Sequence, residues 1–258
     1  MTLSKVEVQE IEATIRNSLR DRFENYAPEP AYMPFHTRLL GKDRLALYSF
    51  IHSLNTNFGT TIFEPVALVL AKKNFKIAKS HTTAGEFISE GAQFEIQKIM
   101  DNLTTAISLP NKSAEIEAIR NVCQKGTMRK IKPTKVDILL ESKTGELYLF
   151  DLKTAKPYAG GFKEFKRTLL EWVATVLYSN PNTKINTIIA IPYNPYEPQP
   201  YNRWTIRGML DLEKELKVAN EFWDFLGGEG TFRELLGVIT EVREEVKSLI
   251  ENTIESHV

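Results

Sequence analysis

Apolar residues recur along the first two dozen positions at intervals of three to five. Val6, Ile11, Ile15, Leu19 and Phe23 alternate with charged groups, which predicts an amphipathic helix over residues 3–24. Pro28, Pro30 and Pro34 then stop it, because proline lacks the N–H that a helix interior needs. Leu45, Leu47, Tyr48, Ile51 and Leu54 resume helical spacing over 43–55, with Asp43 placed to cap the first turn. After a turn signal at 57–60, Phe63, Val66, Ala67 and Leu70 predict a third helix ending near residue 72. Residues 75–78 read as a short strand, and Phe87, Ile88, Phe94, Ile96, Ile99, Met100 and Leu103 predict a helix over 85–108. Pro110 closes that helix, and Ser113 opens another that carries Ile116, Ile119 and Val122.

Past Gly126 the pattern changes period. Residues 135–141 and 146–153 are compact β-favouring runs on either side of Ser-Lys-Thr-Gly, which reads as a hairpin. A long amphipathic helix follows over 162–178, and residues 185–192 form a buried strand pattern. A helix between two such strands is what a crossover connection requires. The loop over 192–200 is rich in proline, and the stretches 211–226 and 231–256 are expected to be helical. These elements predict an α/β fold in which a small mixed sheet is flanked by helices. We read one domain over 1–258, with a core at about 59–192, a helical N-terminal part at 1–58 and a helical C-terminal part at 205–258.

Composition narrows the possible functions. Lys and Arg number 33 and Asp and Glu 33, so the formal net charge is 0. That balance argues against a protein that coats nucleic acid nonspecifically and leaves room for basic residues confined to a cleft. One cysteine, Cys123, excludes an internal disulfide and is too few for a zinc cluster. His36, His52, His81 and His257 are scattered without metal-ligand spacing. No apolar run approaches the roughly 18 residues of a membrane span, and Lys5, Glu7, Glu10 and Arg16 break up the amino terminus. The expectation is a cytoplasmic protein, neither exported nor membrane-bound.

The hairpin places chemistry. If Lys143-Thr144-Gly145 is a three-residue turn with Gly145 left-handed, Ser142 pairs with Glu146. Counting outward then sets Asp137 opposite Asp151, with Cβ atoms about 4.5 to 5.5 Å apart. Side chains alternate along a strand, so Lys153 lies on the face of Asp151. Two carboxylates this close repel unless a positive charge compensates, and a divalent ion such as Mg2+ does so with oxygen ligands.

An Asp followed by Asp-x-Lys across a hairpin resembles the PD-(D/E)XK nuclease superfamily, especially its type II restriction endonucleases. The resemblance implies a restriction-endonuclease-like core and Mg2+-dependent hydrolysis of double-stranded DNA at a short specific site. Asp137, Asp151 and Lys153 match the metal-binding and catalytic positions; Pro133 stands four residues ahead of Asp137, and Val136 occupies the adjoining place. Family members often add a glutamate in a Gly-x-x-x-Phe-Glu context, and residues 59–64 fit with Glu64; Glu90 and Glu95 are rivals. The resemblance further implies a homodimer and a companion DNA methyltransferase.

Lys156, Lys163, Lys166 and Arg167 form the densest basic cluster beside the site and are expected to contact DNA phosphates, with a solvated helix face as the alternative. Arg129, Lys130, Lys132 and Lys135 are equally consistent with backbone contacts or simple exposure. Asn194, Gln199, Asn202 and Arg203, in a loop with several aromatic residues, have the groups that pair with base edges, although the aromatics can equally anchor the loop. The other function classes left open are a structure-specific repair or recombination nuclease, a non-catalytic DNA-binding protein and a scaffold.

Overall fold

The computed structural model describes residues 2–24, 33–153, 161–202 and 208–255. The chain groups into two compact units, residues 1–69 with 229–258 and residues 70–228. The helical ends, expected as elaborations of a single domain, therefore gather into a unit of their own.

That first unit contains α1 (Lys5–Glu24), α2 (Pro34–Leu40), α3 (Lys42–Phe58), most of α4 (Glu64–Ala71) and α9 (Thr231–Glu255). The first-turn carboxylate Glu234 of α9 accepts the backbone N–H groups of Thr2 and Leu3 at 2.6 and 3.0 Å, joining the two ends of the chain. Pro34, expected only to stop a helix, opens α2, since its fixed φ suits the first helical turn. Gly41, at φ 83°, is the residue before α3, so Asp43 lies inside the helix and not at its cap. The expected turn at 57–60 is also absent. One π-helical segment, Gly59–Phe63, carries the helix from α3 into α4.

The second unit is built on a sheet of β1 (Phe75–Thr83), β4 (Lys135–Ser142), β5 (Leu147–Leu152), β6 (Ile185–Ile191) and β7 (Leu216–Val218) in that spatial order. Strand β4 runs antiparallel to both of its neighbours, β1 and β5, whereas β5, β6 and β7 run parallel. The parallel step between β5 and β6 follows from α7 (Gly161–Ser179), which supplies the crossover. Val136, Ile138 and Leu140 of β4 are fully buried, as are Leu149 and Phe150 of β5. Phe150 meets Phe222 and Phe225 of α8 (Asn220–Gly227) at centroid distances of 5.6 and 5.8 Å, so α8 covers that face of the sheet. Strand β6 is buried along nearly its whole length, which explains its continuous apolar run.

Two expected helices are shorter than their patterns. The run at 85–108 opens with a strand, β2 (Phe87–Ser89), paired with β3 (Met128–Lys130). Ser89 then caps α5 (Glu90–Thr104), its hydroxyl accepting from the Ala92 N–H at 3.0 Å. The run at 211–226 divides into β7 and α8, because pairing with β6 holds residues 216–218 extended.

Lys166, expected to contact phosphate, is 0% exposed and instead forms the centre of a buried ionic cluster. Its ammonium donates to Glu115 at 2.5 Å and to Glu215 at 2.6 Å, while Lys112 reaches Glu215 at 2.8 Å. Burial pushes the Glu215 carboxyl up, but the two ammonium groups outweigh it and hold that carboxyl below its usual range. The cluster ties α6 (Lys112–Arg120), α7 and the segment before β7 together. Lys166→Ala, which leaves two buried carboxylates with one cation, should cost about 3–5 kcal/mol in urea unfolding. The exposed neighbour substitution Lys163→Ala should change stability by less than about 0.5 kcal/mol. Equal losses for the two variants would contradict this account.

Candidate active site

The hairpin between β4 and β5 has the turn expected from its sequence. Gly145 sits at φ 82°, and its N–H donates to the Ser142 carbonyl at 3.0 Å. The Ser142 N–H donates to the Glu146 carbonyl at 2.8 Å, closing the three-residue loop. The ladder then runs from Glu141 opposite Leu147 to Ile138 opposite Phe150. The next rung brings Asp137 to Asp151. There the backbone ladder ends, and the Asp137 carboxylate takes over by accepting the Leu152 N–H at 2.8 Å.

Cations flank both carboxylates. Lys135 Nζ lies 3.3 Å from Asp137 Oδ1, and Lys153 Nζ lies 2.6 Å from Asp151 Oδ1. Lys153 is itself fixed at both ends. Its N–H donates to the Ala190 carbonyl of β6 at 2.9 Å, and its ammonium stands 4.6 Å from the ring centroid of Phe165 on α7. On the other side of β4, the pairs Ser80–Ile138 and Thr82–Val136 bracket His81 and Asp137. His81, one of the scattered histidines, therefore stands beside Asp137 on β1, with a left-handed φ of 51°.

Asp151 is 7% exposed. Burial pushes its carboxyl up to about 6; Lys153 opposes that shift, whereas the charge of Asp137 and a hydrogen bond with Asp137 add to it. The Lys153 ammonium therefore does not fully offset the burial of Asp151. No group of three or more His, Cys, Asp or Glu side chains suited to holding a metal occurs among the described residues. The pair Asp137 and Asp151 nevertheless fits a hard divalent cation, which favours anionic oxygen ligands and accepts one or two protein carboxylates.

The remaining candidates are dispersed. Glu64, the first residue of α4, is buried at 3% exposure in the other unit. Glu90 is exposed and pairs with Arg129 at 3.1 Å, and Glu95 pairs with Lys98 at 3.4 Å. Lys163 is exposed on α7, and Arg167 reaches the Gln97 side-chain carbonyl at 2.7 Å. Lys166 is removed from any surface role by the cluster described above. Lys156 and Arg203 lie outside the described residues. That cluster also went unseen in the sequence, where Glu115, Lys166 and Glu215 are too far apart to announce a partnership.

Comparison with known proteins bears on most of the chain. The family described as "Type II restriction endonuclease, HinfI" matches residues 4–243. The type II restriction enzyme MjaII of Methanocaldococcus jannaschii is 27% identical over 278 aligned positions, covering 94% of this chain and 72% of that enzyme. The type II restriction enzyme HgiCII of Herpetosiphon aurantiacus is 23% identical over 213 positions, covering 81% of this chain and 77% of that enzyme. No helix among the described residues is long and apolar enough to cross a membrane.

The raised Asp151 carboxyl predicts a pH-dependent stability. Its folded value of about 6 lies above the ordinary 3.8, so folding favours the protonated form. The resulting cost is full above about pH 6 and vanishes as the pH falls below the ordinary carboxyl value. Metal-free Asp151→Asn should therefore be more stable than the wild type by on the order of 2 kcal/mol at about pH 7.5, with the gap closing towards about pH 4.5. Urea unfolding in a chelator at both pH values measures it, and a gap that widens on acidification would refute the assignment.

Proposed function

Because the chain belongs to the HinfI family of type II restriction endonucleases, we propose that it hydrolyses both strands of duplex DNA at a short specific site with Mg2+, using the cluster of Asp137, Asp151 and Lys153. The observation that carries this reading is the meeting of two carboxylates and an ammonium at the open end of the β4–β5 ladder. Restriction endonucleases act on double-stranded DNA and generally use divalent metal ions.

In this reading Asp137 and Asp151 would hold the ion. When bound, Mg2+ neutralises phosphate charge and makes a coordinated water more acidic. Asp137 has one oxygen committed to the Leu152 N–H, which orients the carboxylate before any ligand arrives. Lys153, steadied by Phe165, positions the attacking water and counters the charge that develops on the phosphoryl group. Lys163 and Arg167, together with Lys156 and Arg203, contact the DNA. A two-fold homodimer would cut both strands of a symmetric site, and a companion methyltransferase would protect host DNA. Both units belong to this one endonuclease, acting in the cytoplasm.

Purified protein digesting plasmid DNA in Mg2+ should release discrete fragments whose sequenced ends share one short motif. Asp151→Ala and Lys153→Ala should each lower the cleavage rate by about a hundredfold or more while DNA binding in Ca2+ persists. Smeared products, cuts confined to branched junctions, or full activity in either variant would count against the proposal.

A further inference from the structure

The parallel strands align their ends. Leu152 pairs with Ala190, and Ile191 pairs with Val218, so β5, β6 and β7 all stop at one edge of the sheet. Asp151 and Lys153 occupy that edge. The chain leaves it again after β6 and after β7, and these two exits enclose a cavity of about 420 Å3 lined in part by Glu197, Gln199, Asn202, Asn220 and Glu221. Two strand spacings separate β7 from β5, a lateral offset of about 10 Å. On B-form DNA that corresponds to roughly three base steps. A reader of a short site must stand within such a distance of the bond being cut.

The lining has a distinct chemistry. It carries carboxylates and amides, with no lysine or arginine among the described lining residues. Such a wall repels phosphate but offers acceptors to an exocyclic amino group, since glutamate accepts from cytosine N4 and glutamine pairs with adenine N6 and N7. The loop is also built in advance. The Asn194 amide donates to the Gln199 carbonyl at 2.7 Å and accepts from the Tyr196 N–H at 3.0 Å, and the Gln199 N–H donates to the Tyr196 carbonyl at 2.9 Å. The Trp223 indole N–H donates to the Pro192 carbonyl at 2.8 Å, pinning the root of the loop to α8. Asn194 spends both ends of its amide on this scaffold. Glu197 and Gln199 project into solvent, and their side chains make no hydrogen bond among the described residues.

We propose that this cavity is a base-reading site, in which Glu197 and Gln199 recognise the exocyclic amino group of an adenine or cytosine in the major groove. The inference rests on the endonuclease reading and adds residues that select the sequence to those that cut it. Asn194 is a positioning residue that holds the loop in its reading conformation.

The test binds the full chain, with Ca2+ in place of Mg2+, to a randomised duplex library and sequences the retained DNA. Wild type, Glu197→Gln and Gln199→Ala are compared. Both side chains are exposed, so both variants should keep the wild-type melting temperature; if one fails to fold, the other still reports. Discrimination at a single base pair should fall by about tenfold or more while the other positions keep their preference. Whether the relaxed pair is A·T or C·G identifies the base. Unchanged preference at every position overturns the inference, as does a uniform loss of affinity across all sequences, which would mark a phosphate contact. A wild-type chain that selects a sequence in either of those cases leaves the endonuclease reading standing. A wild-type chain with no sequence preference removes both, and one that selects a sequence but fails to cut in Mg2+ removes the catalytic reading alone.

Discussion

Two carboxylates brought together on the last rung of a hairpin, one of them nearly out of water, are the constraint on which the site depends. Like charges at such separation resist each other, and burial adds to the resistance. The structure offsets this in three ways. Lys153 sits against Asp151, Lys135 lies near Asp137, and the Leu152 N–H is given to the Asp137 carboxylate. The last of these replaces a backbone ladder bond at the point where the two strands part. Burial outweighs these offsets at Asp151 and leaves its carboxyl raised.

The sheet behind that rung gives it direction. Antiparallel pairing at β4 and β5 fixes which residues oppose each other, and parallel pairing from β5 to β7 makes three strand ends coincide. Asp151, Lys153 and the loop after β6 then share one edge without being close in sequence. The buried cluster around Lys166 keeps α7 in register with α6 and with the approach to β7. Such a cluster contributes little net stability over an apolar packing but is costly to break, which favours one arrangement of these helices.

The hairpin was legible because its signals are local. A glycine with positive φ, a three-residue loop and strict alternation settle the pairing of Asp137 with Asp151 before any other part of the chain is considered. The long helices α1, α5, α7 and α9 were legible from their apolar period for the same reason. The strands β2, β3 and β7 were not. Each spans three residues, too few to show a period, and each exists because a distant strand supplies its hydrogen bonds.

Lys166 marks the boundary between the two kinds of information. On a helical wheel it belongs with Lys163 and Arg167, and the sequence placed all three towards solvent. Glu115 and Glu215, about fifty residues away on either side, turn it inward. By itself the sequence determined the elements whose hydrogen bonds close within a few residues, and with them the opposed carboxylates of the hairpin. Only the tertiary structure decided which charges are buried, which strand ends align and where the loop after β6 stands, because those depend on contacts between segments whose separation along the chain leaves no periodic trace.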